Sequence, residues 1–229
     1  MATSTVTIGR SVRAAIEDPD VKAVVMDMHS PGGTVSSVPE LAAELRGLRG
    51  RKPIVAHADY MMASAAYWIA SQADEIVASP SAMVGSVGVY GMHVDQSGLL
   101  DQLGIKVTLI ADPEEKVEGN SFEPLSETAR AEIQKLVSND LRMFRSDIAA
   151  GRGMKASDIA DSWARIYQPR EALAMGMIDK IRPLSETLSA YGISREAQSQ
   201  PQRSRAHTDA ARRRQIEQLS AEMSARGVA

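Results

Sequence analysis

Short apolar runs alternate with amphipathic segments along most of the chain. The run at 21–28 has the apolar character of a strand covered on both faces, and further strands are predicted at 52–58, 74–80 and 104–111. Between and after them, apolar residues at helical spacing predict one helix that ends at Gly50, a second over 64–71 and a third from Ser126 to Ala149. A short helix and a last strand follow in PREALAMGMIDKI. This order predicts an α/β domain with a mainly parallel sheet and right-handed crossovers.

The longest predicted helix carries its own start and end signals. Ser126 can cap its first turn, and Gly151 and Gly153 are expected to end it. One apolar face is formed by Ile133, Val137, Leu141, Phe144 and Ile148.

Composition limits the class of protein. The chain has 229 residues, 44% of them hydrophobic, which suffices for one α/β domain with a substantial core. It contains no cysteine, so disulfides, thiol catalysis and cysteine metal sites are excluded. No apolar stretch is long enough to span a bilayer, and MATSTVTIGR lacks the apolar centre of a signal peptide. We therefore expect a cytoplasmic protein with no membrane partner, and we predict no cofactor and no metal.

The C-terminal segment 194–229 differs in charge from the rest of the chain. It has seven arginines and four acidic residues, a net charge of +3, whereas the whole chain has −3. With no aromatic and few large aliphatic residues, it is expected to be a polar tail, disordered to helical. It is either simply solvated or an assembly arm. The arginine triplet 212–214 lacks aromatic neighbours, so nucleic acid is not predicted as a partner.

A Pro-Gly-Gly loop follows the first predicted strand, at the position where ligands bind in parallel sheets. This loop, HSPGGTVSS at 29–37, contains Gly32 and Gly33, whose amides can approach an anion beside a helix N-terminus. The same residues also suit an ordinary turn.

A second loop follows the strand at 52–58. The pattern predicts a turn through DYMMA and a helix that starts at Ser64. If the two strands pair, the amides of Gly33 and Ala65 lie beside the Ser64 hydroxyl, which suits a nucleophile with an oxyanion site. The alternative is that Ser64 only caps its helix.

A serine nucleophile needs a base, and the chain offers histidine and lysine. None of the four histidines has an acidic partner at a recognisable spacing, so no Ser-His-Asp triad is predicted. A buried lysine can lose its proton and serve instead. Lys116 lies in the polar segment ADPEEKVEGNSFEPLSE, where the local sequence alone indicates a solvated lysine.

Five ordered segments carry a resemblance to a known family. MDMHSPGG, ADYMMASAAYWIAS, SPSAMVGSVGVYG, EEKVEGNSFEPLSETARAE and RIYQPREALAMGMIDKI resemble the signal peptide peptidase A-like serine proteases, which include capsid proteases of tailed phages. The resemblance implies a ClpP/crotonase-type fold, a spiral of β-β-α units with a mainly parallel sheet, over residues 1–193. Family members usually have one or more strands before the residues that match Thr5 to Asp20, so the resemblance also implies that these N-terminal strands are missing from the chain.

The resemblance implies a Ser-Lys dyad. Ser64 matches the family nucleophile, and Lys116, 52 positions later, matches the lysine that takes its proton. The backbone amides of Gly33 and Ala65 match the oxyanion hole. Ala65 stands where the family often has glycine, and His29 where it often has aspartate or asparagine. Two further positions are expected to support the site, Gly32 and Ser86.

We therefore expect a serine endopeptidase, and in particular a phage or prophage capsid maturation protease. Its substrates would be scaffold or capsid proteins in the host cytoplasm or prohead. Because family members form rings or domes, we expect a homo-oligomer with EEKVEGNSFEP near the subunit contact. The alternatives are a signal-peptide-degrading peptidase, an inactive capsid-assembly or scaffolding component, and a crotonase-type acyl-CoA enzyme.

Overall fold

The computed structural model describes residues 3–159 and 161–193, and the predicted tail lies outside the described residues. The chain divides into a compact unit, Met1–Thr187, and a second unit that begins at Leu188. In the second unit, the Ile193 N–H donates to the Leu188 carbonyl at 2.9 Å and closes a turn. Every strand of the sheet belongs to the first unit.

Strands and helices alternate along the described residues. The strands are β1 (Val24–Ser30), β2 (Ile54–Ala63), β3 (Glu75–Ala78), β4 (Met83–Gly85), β5 (Ile166–Tyr167) and β6 (Lys180–Ile181). The α-helices are α1 (Thr5–Glu17), α2 (Val38–Leu48), α3 (Ala65–Ala70), α4 (Ser97–Gln102), α5 (Glu127–Arg152), α6 (Pro169–Ala174) and α7 (Leu184–Ala190). Short 3-10 helices lie at Glu114–Val117, Ala156–Asp158 and Asp161–Ala164.

β2 is the centre of the sheet. β1 runs parallel along one side of it, while on the other side β3 pairs with its first half and β4 with its last three residues. β6 continues the parallel arrangement beyond β3, and β5 pairs antiparallel with β4. The prediction of a mainly parallel sheet is confirmed.

β2 is longer than its sequence pattern predicts. The pattern indicates a strand over 52–58 and then a turn, but the strand continues to Ala63. The predicted turn is wrong because Met61 and Met62 have strand partners in both β1 and β4, and Ala63 has one in β4. The strand therefore carries the chain directly to Ser64.

The apolar run at 104–111 does not form a strand. Ile105, Val107 and Ile110 are exposed, and Ile110 has 94% of its surface in solvent. The prediction is wrong for the single chain because no described strand lies beside this segment, and a ladder needs cross-strand partners.

α5 confirms the long helix predicted from Ser126 to Ala149. The Ser126 hydroxyl accepts a hydrogen bond from the Ala129 N–H at 3.1 Å, and Gly153 ends the helix with a φ of 65°. Phe144 and Ile148 lie in the core. Although α5 is long, no helix in the described ranges is both long and apolar enough to cross a membrane.

α1 is an element that the sequence interpretation missed. It buries Gly9, Val12 and Ile16, a spacing of three and four that is typical of one helix face. Arg13 donates to the Glu44 carboxylate at 2.6 Å, so α1 is also tied to α2. The spacing of these residues was the sequence signal that could have predicted α1.

α3 lies wholly in the core and joins the sheet to α5. Trp68 stacks on Phe144 with ring centroids 4.4 Å apart, and its Nε1 donates to the Asp147 carboxylate at 2.9 Å. Tyr67 donates its hydroxyl proton to the Met177 carbonyl at 2.8 Å. Burial raises the pKa of Tyr67, so the phenol remains a donor. The two aromatic residues therefore anchor α3.

Gly151→Ala tests the contact between α5 and α3. Gly151 lies inside α5 rather than at its end, and a Cβ there would stand 2.1 Å from the Ser71 carbonyl oxygen. The helices must move apart, so we expect the free energy of unfolding to fall by about 1–3 kcal/mol. Gly47→Ala in α2 is the matched control, because its Cβ would meet nothing within 4 Å. Urea denaturation that shows equal stability for the two variants would contradict this contact.

Candidate functional site

Ser64 joins β2 to α3 in a strained backbone conformation. Its φ of 52° and ψ of −125° are rare outside glycine and cost about 1–3 kcal/mol. The Ser64 N–H donates to the Gly85 carbonyl at 2.9 Å, and the Ser64 carbonyl accepts from the Trp68 N–H at 3.0 Å. One hydrogen bond to the sheet side and one to the helix therefore hold the turn.

The Ser64 hydroxyl does not cap α3. Among the residues that the structure describes, it has no hydrogen-bond partner, and the side chain is only half-buried. The alternative that Ser64 serves only as a helix cap is therefore wrong. An uncommitted hydroxyl at the end of a central strand is available for chemistry.

Gly32 lies directly against Ser64. A Cβ at Gly32 would stand 2.6 Å from the Ser64 Cβ and 3.0 Å from its Oγ, and the Gly32 φ of 114° also favours glycine. The Gly32 N–H donates to the Ser30 hydroxyl at 3.2 Å, which holds the loop at the end of β1. The Pro-Gly-Gly loop and the Ser64 turn therefore meet, as the pairing of their strands predicts.

The backbone amides of Gly33 and Ala65 are donors without an acceptor in the described part of the chain. Ala65 is the first residue of α3, where amides have no intrahelical partner. Gly33 borders open space, since a Cβ there would meet nothing within 4 Å. Two free amides suit a developing negative charge. Their joint role as an oxyanion hole stays a prediction.

Gly85 and Ser86 form a third side of the site. Gly85, which accepts the Ser64 N–H, has a φ of 132°, and a Cβ there would stand 2.3 Å from the Arg165 carbonyl oxygen. Ser86 has a φ of 56° and donates its N–H to the same carbonyl at 2.8 Å. Arg165 thus fixes this loop through its backbone, while a supporting role for the Ser86 side chain stays a prediction.

Lys116 is not joined to Ser64 in the single chain. It lies in the 3-10 helix Glu114–Val117, and its side chain is exposed. Within residues 3–159 and 161–193, no hydrogen bond or ion pair of Lys116 Nζ is formed. A cavity of about 320 Å³ lies in the same segment, and its acidic lining residues are Glu114, Glu115, Glu118 and Glu123. The dyad therefore stays a prediction.

No described histidine hydrogen-bonds Ser64. The partners are Asn120 for His93, Ser79 and Thr187 for His57, and Asp27 and Asp59 for His29. The sequence interpretation missed the acidic neighbours of His29. Polar residues at alternate positions in two adjacent strands were the signal that could have found them.

Comparison with known sequences identifies one family. The sequence model of Peptidase family S49 matches residues 47–196. The chain is 30% identical over 186 residues to capsid assembly protease C of Escherichia phage lambda, covering 81% of this chain and 42% of that protein. It is 28% identical over 183 residues to the head-tail preconnector protein of Enterobacteria phage P21, covering 80% of this chain and 36% of that protein. The chain thus spans less than half the length of these two relatives.

Comparison with solved structures confirms the predicted ClpP-type fold. A membrane-bound stomatin-specific protease in complex with a substrate peptide has a TM-score of 0.52 at 16% identity, covering 81% of this chain and 74% of that chain. ClpP1 from Listeria monocytogenes has a TM-score of 0.50 at 12% identity, covering 80% of this chain and 86% of that chain.

Substitutions at Ser64 test the backbone strain. Glycine adopts the Ser64 conformation without a Cβ penalty, whereas alanine retains the penalty. We expect the free energy of unfolding of Ser64→Gly to exceed that of Ser64→Ala by about 1 kcal/mol. Ser81, which is exposed and has no positive φ, is the control site. There the alanine variant should be the more stable in urea denaturation. A Ser64→Gly protein less stable than Ser64→Ala would contradict the strain.

Proposed function

Because the chain belongs to peptidase family S49, we propose that it is a serine endopeptidase in which Ser64 is the nucleophile and Lys116 the general base. The observation that carries the proposal is the strained turn at Ser64. Its backbone is held by the Gly85 carbonyl, and its hydroxyl is free beside Gly32. Strain of this kind concentrates at functional sites. The family match gives no support to an acyl-CoA enzyme.

Peptide cleavage would proceed through an acyl-enzyme. Ser64 Oγ attacks the peptide carbonyl carbon while the neutral Lys116 Nζ takes the hydroxyl proton. The N–H groups of Gly33 and Ala65 donate to the oxyanion. Lys116 then gives its proton to the leaving amine, and later takes a proton from the water that hydrolyses the ester.

Variants of the proposed dyad test the mechanism. Ser64→Ala should reduce casein cleavage to background and abolish labelling by a fluorophosphonate, because both need the hydroxyl. Lys116→Arg should be nearly as inactive, since a guanidinium stays protonated and cannot act as a base. Lys135→Arg is the matched control, because Lys135 pairs with Glu132 on the exposed face of α5 and should keep wild-type activity. Cleavage by a clean Ser64→Ala preparation would refute the nucleophile.

Lys116 must be brought to Ser64 and shielded from water before it can act. On the single chain its side chain is exposed. An ammonium in water remains protonated at neutral pH and accepts no proton. We therefore infer that a second copy of the chain covers this segment in a homo-oligomer.

An apolar arm, residues 90–110, supports this homo-oligomer. Large apolar side chains are exposed along its whole length, namely Tyr90, Met92, Val94, Leu99, Leu103, Ile105, Val107 and Ile110. Large exposed apolar side chains concentrated in one segment favour a protein–protein contact. The arm leads directly into the segment of Lys116, so a copy docked on the arm would also desolvate the lysine.

Charge placed on the apolar arm should separate the subunits and lower activity together. Ile110→Asp puts a carboxylate at a residue that is 94% exposed, so the folded chain should tolerate it while a subunit contact should not. Light scattering should show smaller particles, and specific activity should fall in step, as it should on dilution of the wild type. Val6→Asp, at a residue outside the arm, is the control. A fully active wild-type monomer would contradict the proposed contact.

We propose scaffold or capsid proteins as the substrates, cleaved in the host cytoplasm or within a prohead. The support is that the two phage relatives are a capsid assembly protease and a head-tail preconnector protein. Cleavage of released signal peptides, with scaffold proteins left intact, would favour the alternative peptidase. Large assemblies without labelling would favour an inactive assembly component.

A further inference from the structure

A cluster of polar side chains lies on one face of the sheet, beside the point where β2 bulges. Asp27 of β1 pairs in register with His57 of β2. Two residues further along the two strands stand His29 and Asp59. The His29 Nε2 lies 3.4 Å from an Asp27 carboxylate oxygen and 3.7 Å from an Asp59 carboxylate oxygen. The proposed peptidase mechanism uses none of these side chains.

A continuous chain of hydrogen bonds runs through this cluster. The Ser79 hydroxyl donates to the Asp59 carboxylate at 2.7 Å, and its Oγ lies 3.1 Å from His57 Nε2. On the other side of the ring, His57 Nδ1 lies 3.0 Å from the Thr187 hydroxyl oxygen, which accepts from Arg182 Nε at 3.1 Å. His57 is completely buried, so water does not compete with these bonds.

The donors along this chain fix the protonation of His57. Because Ser79 gives its one proton to Asp59, its Oγ must accept from His57 Nε2–H. Arg182 can only donate, so the Thr187 proton is available to His57 Nδ1. The geometry therefore assigns a neutral ring with its proton on Nε2.

Asp59 sits in the bulge of β2. The register of the β1–β2 ladder shifts between Met28 and His29, and the two residues left over on β2 are Asp59 and Tyr60. At the same place β2 exchanges β3 for β4 as its neighbour. Only three further residues, paired with β4, separate the bulge from Ser64. The bulge thus determines the register with which β2 reaches Ser64.

We propose that Asp59, Ser79 and His57 are positioning residues for the nucleophile, which rests on the proposed role of Ser64. The hydrogen-bonded Asp59 holds the bulge in place. The bulge sets the register of the last residues of β2, and that register brings the Ser64 N–H to the Gly85 carbonyl. Displacement of a reacting group by about 1 Å lowers the rate steeply.

Acid weakens this positioning because it protonates His57. A proton on Nδ1 would face the Thr187 hydroxyl, whose own proton must then turn away. Burial, more than any neighbour, lowers the pKa of His57 below its ordinary value of 6.5. Positioning is therefore complete at neutral pH and is lost as the pH falls through the lowered pKa. The charged or titratable groups around the ring are Asp59, Asp27, Arg182 and His29, with Glu75 of β3 bound to Arg182.

Hydrogen exchange at the Ser64 amide, followed by NMR, reports the positioning without any need for activity. The amide is protected by its bond to the Gly85 carbonyl. Ser79→Ala and Asp59→Ala, each of which removes one partner of the Ser79–Asp59 hydrogen bond, should lower this protection, and should lower kcat roughly 10- to 100-fold with KM little changed. Ser79→Thr keeps the hydroxyl and should restore both. Ser81→Ala, at an exposed serine outside the hydrogen-bonded chain, is the control.

His57→Gln separates the pH effect from a general loss of stability. Glutamine keeps an N–H donor for Ser79 and does not titrate, so protection of the Ser64 amide should stay level between about pH 7 and about pH 5. In the wild type it should fall as the pH drops below 6.5 and through the lowered pKa of His57.

The outcomes separate this proposal from the proposed function. Wild-type protection and kcat in Ser79→Ala, measured well below its unfolding temperature, would overturn the positioning role. Loss of Ser64 protection in Ser79→Ala, in a protein whose wild type neither cleaves nor reacts with fluorophosphonate, would support control of the turn by the bulge. The lack of cleavage and labelling in that wild type would refute Ser64 as the nucleophile.

Discussion

The backbone of Ser64 adopts a conformation that its own residue type disfavours, and the surrounding elements are arranged so that it persists. The Gly85 carbonyl holds its amide, and α3 holds its carbonyl. Gly32 leaves room for its side chain. The strain of about 1–3 kcal/mol is sustained only because each of these contacts comes from a different part of the fold.

The same constraint explains the unusual composition of the stretch after Ser64. Ala65 and Ala66 are small, so the first turn of α3 can lie close to the sheet. The buried side chains of Tyr67 and Trp68 contact elements that are distant in sequence. Trp68 stacks on Phe144 of α5, and Tyr67 bonds to the Met177 carbonyl. A helix of only six residues would be marginal alone, so its rigidity comes from these anchors.

Local sequence patterns were sufficient for the parts of the fold that depend on near neighbours. The parallel sheet and the helix that follows Ser64 are predicted by the alternation of apolar segments, the Ser126 cap is predicted by capping chemistry, and the structure confirms all three. Family resemblance, rather than local pattern, singled out Lys116, whose surroundings in the single chain are polar and exposed.

Apart from α1, whose own apolar spacing was a local signal, the fold features that the sequence did not reveal depend on partners far away along the chain. β2 extends to Ala63 because β1 and β4 supply ladder partners. Position 151 requires glycine because the Ser71 carbonyl oxygen lies against it. The sequence of α5 alone does not reveal this contact. The run at 104–111 has the pattern of a strand, but a pattern alone does not supply the neighbour that a strand requires.

The bulge at Asp59 and Tyr60 also limits how this part of the gene can change in length. Side chains alternate between the two faces of a strand, so loss of one residue here would turn Met62 and its neighbours to the opposite face. Loss of both residues would keep the alternation but remove the carboxylate that Ser79 holds. The fold should therefore tolerate substitutions in this segment far better than insertions or deletions.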